Sequence, residues 1–163
     1  MARVLLVGCG CRGRALAAAL SAQGHVVRGT SRERSSLEAI EAAGAEAVIA
    51  DPDRLGTIVA QLHGVSVVCW LLGSAEGDDD GVAALHGPRL RSLLETLVDS
   101  PARGLVYEAA GSVPAAVLDG GRELVREAGG RHRMPVELVT ADPAAGEAWT
   151  AAAVSAVDGV LTS

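Results

Sequence analysis

The sequence predicts a doubly wound α/β fold: a parallel sheet in the order 3-2-1-4-5-6, covered by helices on both faces in three αβα layers. Three observations carry this. The chain opens on an unbroken apolar run that ends in a glycine-rich turn. Strand-like and helix-like segments then alternate to its end, and the connections between them are short. A length of 163 residues fits one domain, residues 1–163, able to bury a sizeable core.

Val4-Leu5-Leu6-Val7 has no polar alternation and is too short for a helix, so residues 3–7 are expected to be a buried strand. Gly8-Cys9-Gly10-Cys11-Arg12-Gly13 reads GxGxxG and leads into a helix over 12–22, rich in Ala and Leu. Strands are expected at 26–30, 46–50, 65–71, 103–108 and 135–139, alternating with helices at 33–43, 54–62, 88–98, 119–129 and 144–161. The helix over 88–98 is the clearest. Pro88 suits its first position, and Leu90, Leu93, Leu94, Leu97 and Val98 share one face. The Ala- and Val-rich segment 144–161 is the candidate homodimer surface. Asp78-Asp79-Asp80 lacks the ligand spacing of a calcium loop and is expected to be a solvated loop.

Composition excludes several classes. A net charge of −6 and a pI near 5.1 oppose general nucleic-acid binding, which needs a basic footprint. No apolar run approaches a membrane span, and the chain starts on a strand, not on a signal peptide. Three cysteines form no disulfide framework and point to a reducing cytoplasm. Cys9 and Cys11 lack the partners a zinc site needs, so no metal is expected, though a helix N-terminus can make either thiol reactive. All 14 basic residues are arginine, so any chemistry requiring lysine is excluded within this chain.

The glycine turn is placed to hold a dinucleotide. Gly8 allows the tight bend, Gly10 lets the backbone approach a pyrophosphate, and Gly13 lets helix and strand lie close. The N–H groups of Cys9, Cys11 and Arg12 belong to the same turn, where the helix dipole favours negative charge. At the end of the second strand an acidic residue would grip the ribose 2′-hydroxyl of NAD. Here Thr30 and Ser31 stand there, followed by Arg32 and then Arg34. Hydroxyls and arginines suit a 2′-phosphate, so NADP is favoured and NAD is the alternative; Arg12 is expected to add a second cation.

The stretches VLLVGCGCRGRALAAALSAQGHVVRGTSR and VIADPDRLGTIVAQLHGVSVVCWLLG resemble the atypical and extended short-chain dehydrogenase/reductases, especially their epimerase-like group. The resemblance runs from residue 3 to about residue 113. It implies that Asp51 contacts the adenine, against its reading as a turn acid before Pro52, and that Leu72, Gly73 and Ser74 line the cofactor. That family works with a serine after the fifth strand and a Tyr-x-x-x-Lys pair. Here Ala109 and Ala110 stand at the serine position, Tyr107 lies within the strand, and no lysine follows. His86, Glu108 and Ser112 are the candidate catalytic groups, His86 as the best-placed histidine. His25, His63 and Arg131-His132-Arg133 read as structural or solvated, and Trp149 as a packing anchor. The resemblance favours an NADP(H)-dependent oxidoreductase or epimerase-like enzyme acting on a small molecule. A non-catalytic NAD(P)H sensor or regulatory subunit is the alternative. A methyltransferase ranks last, because Arg12 occupies the last glycine position of its loop.

Overall fold

The computed structural model describes residues 1–163. Strands β1 (Arg3–Val7), β2 (Val26–Ser31), β3 (Glu46–Ile49), β4 (Val67–Trp70), β5 (Gly104–Glu108) and β6 (Val136–Val139) pair in parallel as one sheet, in the order β3-β2-β1-β4-β5-β6. This is the expected order. Helices α1 (Cys11–Ala22), α2 (Leu37–Ala42), α3 (Leu55–Val59), α4 (Asp79–Leu85), α5 (Pro88–Val98), α6 (Ala115–His132) and α7 (Glu147–Leu161) cover it. Short 3-10 turns, Arg34–Ser36 and Pro143–Ala145, lead into α2 and α7.

The pleat divides the core in two. Val4 and Leu6 of β1 face an apolar layer completed by Leu16 and Leu20 of α1, Ile40 of α2, and Trp149, Ala153 and Val157 of α7. Leu5 and Val7 face the opposite layer, filled by Ile58 of α3, Leu90, Leu93, Leu94 and Leu97 of α5 and Val125 of α6. Each fully buried leucine contributes about 1.5–3 kcal/mol, so α5 is held mainly through its leucine face. Val98, expected on that face, is 45% exposed. The apolar face of α7 is spent on its own sheet, through contacts with β4, β5, β6 and α1.

Two expectations need correction. Asp78-Asp79-Asp80 is the start of α4, not a solvated loop. Asp78 is its N-cap, accepting from the Gly81 N–H at 2.7 Å, and Asp79 and Asp80 sit in a first turn where the dipole favours negative charge. Helix α6 starts at Ala115, four residues before the expected 119, because Pro114 sets the chain for helix entry.

The topology places a crevice at the carboxyl ends of the strands, where connections leave β1 toward β2 on one side and enter β4 on the other. No helix is long and apolar enough to cross a membrane.

Candidate functional site

The glycine loop joins β1 to α1 in that crevice. Gly8 adopts φ +91°, and a Cβ there would lie 2.6 Å from the Leu71 carbonyl oxygen, so both backbone and space demand glycine. The Cys9 N–H donates to the Thr30 carbonyl at 3.2 Å, tying the loop to β2. The first bond of the helix runs from the Arg14 N–H to the Gly10 carbonyl at 2.8 Å, which leaves the N–H groups of Cys11, Arg12 and Gly13 without protein acceptors. No acidic side chain occupies this first turn. A Cβ built on Gly10 meets nothing within 4 Å, so the glycine opens the space in front of these donors. That arrangement fits a pyrophosphate. Gly13 packs the helix onto its strand, with its Cβ position 3.1 Å from the Gly8 carbonyl oxygen.

A cleft of about 320 Å³ runs from this loop along the ends of β2 and β4. Of the residues expected to hold a cofactor, Gly8, Cys9, Gly10, Arg12, Thr30, Ser31, Arg32, Leu72 and Ser74 line it. Cys11 is exposed beside it and Gly13 is buried behind it. Gly73 is buried as well, its N–H donating to Glu108 at 2.8 Å. Asp51 does not line the cleft, although Ala50 and Pro52 do. Its Oδ1 accepts from the Asp53 N–H at 2.9 Å, the bond of a turn acid. Arg34 lies outside the cleft.

Arg14 and Ser36 also line the cleft and were not anticipated. Arg14 follows Arg12 by two residues, a rotation of roughly 200° on a helix, so the two leave opposite sides of α1. The legible signal was charge: cations in a helix's first turn oppose the dipole unless an anion joins them.

The expected second cation for a 2′-phosphate, Arg12, turns the other way. Its Nε and Nη2 donate to Glu108 Oε2 and Oε1 at 3.2 and 3.0 Å. Glu108 is fully buried, and a carboxylate so placed requires a cation. His86 is 2% exposed, with Nε2 at 2.9 Å from the Leu72 carbonyl and Nδ1 at 2.6 Å from the Tyr107 hydroxyl. Burial pushes its pKa below the ordinary histidine value, against upward pulls from the Leu72 bond and the Glu108 charge. Burial also raises the pKa of Tyr107, with Arg122 opposing and Glu108 and Asp119 adding to the rise. His86 and Glu108 therefore fasten both polar ends of a single peptide unit in the loop after β4 that borders the cleft, Leu72 C=O and Gly73 N–H.

The sequence matches a family model described as NAD(P)H-binding over residues 8–111, more than half of the chain. The chain belongs to the NAD(P)H-binding family. Its fold is that of the short-chain dehydrogenase/reductases and the NAD-dependent epimerases and dehydratases. A short-chain dehydrogenase/reductase superfamily protein from Agrobacterium tumefaciens, solved with bound NAD, superposes with a TM-score of 0.69 at 24% identity, over 83% of this chain and 48% of its own. UDP-glucuronic acid 4-epimerase from Bacillus cereus, in complex with NAD, gives 0.66 at 16% identity, over 83% and 54%. Triphenylmethane reductase from Citrobacter sp., complexed with NADP(H), gives 0.62 at 14% identity, over 83% and 48%. These likenesses are of fold. The NAD(P)H-binding chain spans about half the length of these three structures. No curated protein matches its sequence.

In this NAD(P)H-binding chain Ser112 is exposed at the β5–α6 connection, its N–H donating to the Ser74 hydroxyl oxygen at 3.2 Å. Of the thiols, Cys9 is buried and pushed up to about 11 by burial, with Arg14 pulling it down. Its expected reactivity is therefore corrected: Cys9 is a packed residue against Gly29, and Cys11 is the exposed thiol at the helix start. Trp149 is 1% exposed on α7, with the Arg12 guanidinium 5.5 Å from its ring centroid.

Proposed function

We propose that this chain binds NADP(H) and serves as an oxidoreductase or epimerase-like member of the short-chain dehydrogenase/reductase superfamily, using groups other than the Ser-Tyr-Lys set. The observation that carries the cofactor choice is the β2 end of the cleft. Ser31, Arg32 and Ser36 line it from the β2 side and Arg14 from α1, and a serine stands where NAD-binding chains carry the acid. Arg32 is held only loosely, 3.9 Å from Asp53 on the exposed surface, and is free to turn to a phosphate. The bound cofactor supplies hydride chemistry. The chain's own residues give the pyrophosphate cradle at Cys11, Arg12 and Gly13 and the 2′-phosphate contacts at the β2 end.

Calorimetry with NADPH and NADH tests this. NADPH binds more tightly, and Arg32→Ala removes much of the difference, since a charge-assisted contact is worth about 1.5–3 kcal/mol. Equal affinities, or a ratio indifferent to Arg32, reject the assignment in favour of NAD, with Glu33 as the carboxylate lining that end of the cleft.

A second reading, a non-catalytic NAD(P)H sensor or regulatory subunit, is favoured by the burial of Glu108, His86 and Tyr107 with their bonds already made. Clear NADPH binding without turnover across a broad carbonyl panel selects it. Cysteine usage supports a cytoplasmic setting for either.

A further inference from the structure

Arg12 is held unusually firmly for a residue that borders a cleft. Its Nε and Nη2 grip both oxygens of Glu108, and its guanidinium lies 5.5 Å from the Trp149 ring centroid. Glu108 cannot follow a moving arginine, because it is fully buried and its Oε1 also takes the Gly73 N–H at 2.8 Å. Withdrawing Arg12 would strand that carboxylate without a cation, so the pair persists whatever ligand arrives. The grip uses one edge of the guanidinium. Nη1 has no protein acceptor and is not among the buried orphan atoms, so it reaches solvent from a side chain that is 30% exposed and lines the cleft.

This free edge stands by β4 and β5, across the switch point from Ser31 and Arg32. A dinucleotide that reads its 2′-phosphate at the β2 end extends across the crevice toward it. The pyrophosphate already has the three free N–H groups of the glycine turn, which leaves the Arg12 edge for the second ligand. We propose that Arg12, fixed by Glu108, recognises the carboxylate of the substrate, and that the substrate class is small carbonyl compounds bearing a carboxylate. Two parallel donors on a planar fork match the two oxygens of that group. The Arg12–Glu108 pair is neutral overall, so the preference comes from donors held ready in place. This inference rests on the dinucleotide reading above.

The test uses the full chain loaded with NADP⁺, with pyruvate as the charged probe and methyl pyruvate as the same carbonyl without the charge, both titrated by saturation-transfer NMR. The wild-type chain prefers pyruvate by about tenfold or more, and Arg12→Gln erases the preference. Glu108→Gln keeps the Arg12 charge but releases its anchor, and loses most of the preference while NADP⁺ still binds. The double variant carrying both changes strands no buried charge, so it keeps the test valid if Arg12→Gln alone fails to fold. Equal affinities for the two probes in the wild-type chain overturn the proposal, as does a preference that survives Arg12→Gln. If Arg12→Gln instead weakens ADP-ribose and leaves the pyruvate preference intact, Arg12 reads the cofactor's pyrophosphate and the proposal falls. Failure of the wild-type chain to bind NADP⁺ at all is read in the loading step and overturns the dinucleotide reading itself.

Discussion

The Nδ1 atom of His86 lies 2.6 Å from the Tyr107 hydroxyl, and both side chains are buried where α4 ends against β5. The Leu72 carbonyl, 2.9 Å from Nε2, can only accept, so the proton sits on Nε2 and Nδ1 accepts from Tyr107. Gly121 of α6 leaves room for the hydroxyl, because a Cβ there would overlap it. The one tyrosine of the chain is thus spent on a buried hydrogen bond.

Tyr107→Phe leaves His86 Nδ1 without its donor and costs about 1–3 kcal/mol of stability, measured by urea unfolding. Any carbonyl reduction the protein performs keeps its order of magnitude in this variant. A loss of turnover by orders of magnitude would make Tyr107 a proton donor to substrate and contradict its burial.

The lowered pKa of His86 sets a pH dependence with a definite sign. The unfolded chain takes up a proton near the ordinary value of 6.5, whereas the folded site does so only at lower pH. The His86 contribution is therefore fully present above 6.5 and is lost as pH falls toward the folded pKa. The slope from this one group is at most about 1.4 kcal/mol per pH unit. Denaturant titrations between roughly pH 7.5 and pH 5 show falling stability, and His86→Gln flattens that fall. An unchanged slope assigns the effect to other groups.

Gly8 and Gly10 answer differently to the same change. Gly8→Ala combines φ +91° with a Cβ 2.6 Å from a carbonyl oxygen, so thermal unfolding shows a loss of about 1–3 kcal/mol or more. Gly10→Val adds a side chain in open space. The fold survives by circular dichroism, while dinucleotide binding is abolished. Retained binding moves the ligand away from the glycine turn.

Alkylation separates the thiols. Iodoacetamide at neutral pH modifies Cys11, which is exposed, and spares Cys9 and Cys69, which are buried with pKa values raised by burial. Mass spectrometry of the intact chain then finds a single adduct, and NADPH protects against it. Labelling of Cys9 in the folded chain is the result that breaks this account.

Arg14 and Arg34 distinguish a cleft cation from a surface one. Arg14→Ala lowers the NADPH-to-NADH affinity ratio as Arg32→Ala does, whereas Arg34→Ala, outside the cleft, leaves the ratio unchanged. Calorimetry on the three variants reads this directly.

The fold was legible because its signals are local. Apolar runs such as Val4 to Val7 and Val67 to Trp70 specify buried parallel strands, and the glycine turn with short connections restricts their order. The Leu90, Leu93, Leu94, Leu97 face set α5 at its observed bounds. The missed helix α4 depended on a cap at Asp78 followed by only seven residues, too short for a periodic signal. For the site, Gly8, Gly10 and Ser31 could be placed by their spacing along the chain. The partners of Arg12, Glu108 and His86 could not. Arg12 and Glu108 are 96 residues apart in sequence, and His86 and Tyr107 are 21 apart on different elements. Residue type alone offered Arg12 to a phosphate and Glu108 and His86 to catalysis. Only the packed fold, by burying Glu108 at the end of β5 and His86 at the end of α4, determines which groups keep free donors and which are already satisfied, because desolvation requires a buried charge or polar group to take the nearest partner within the protein.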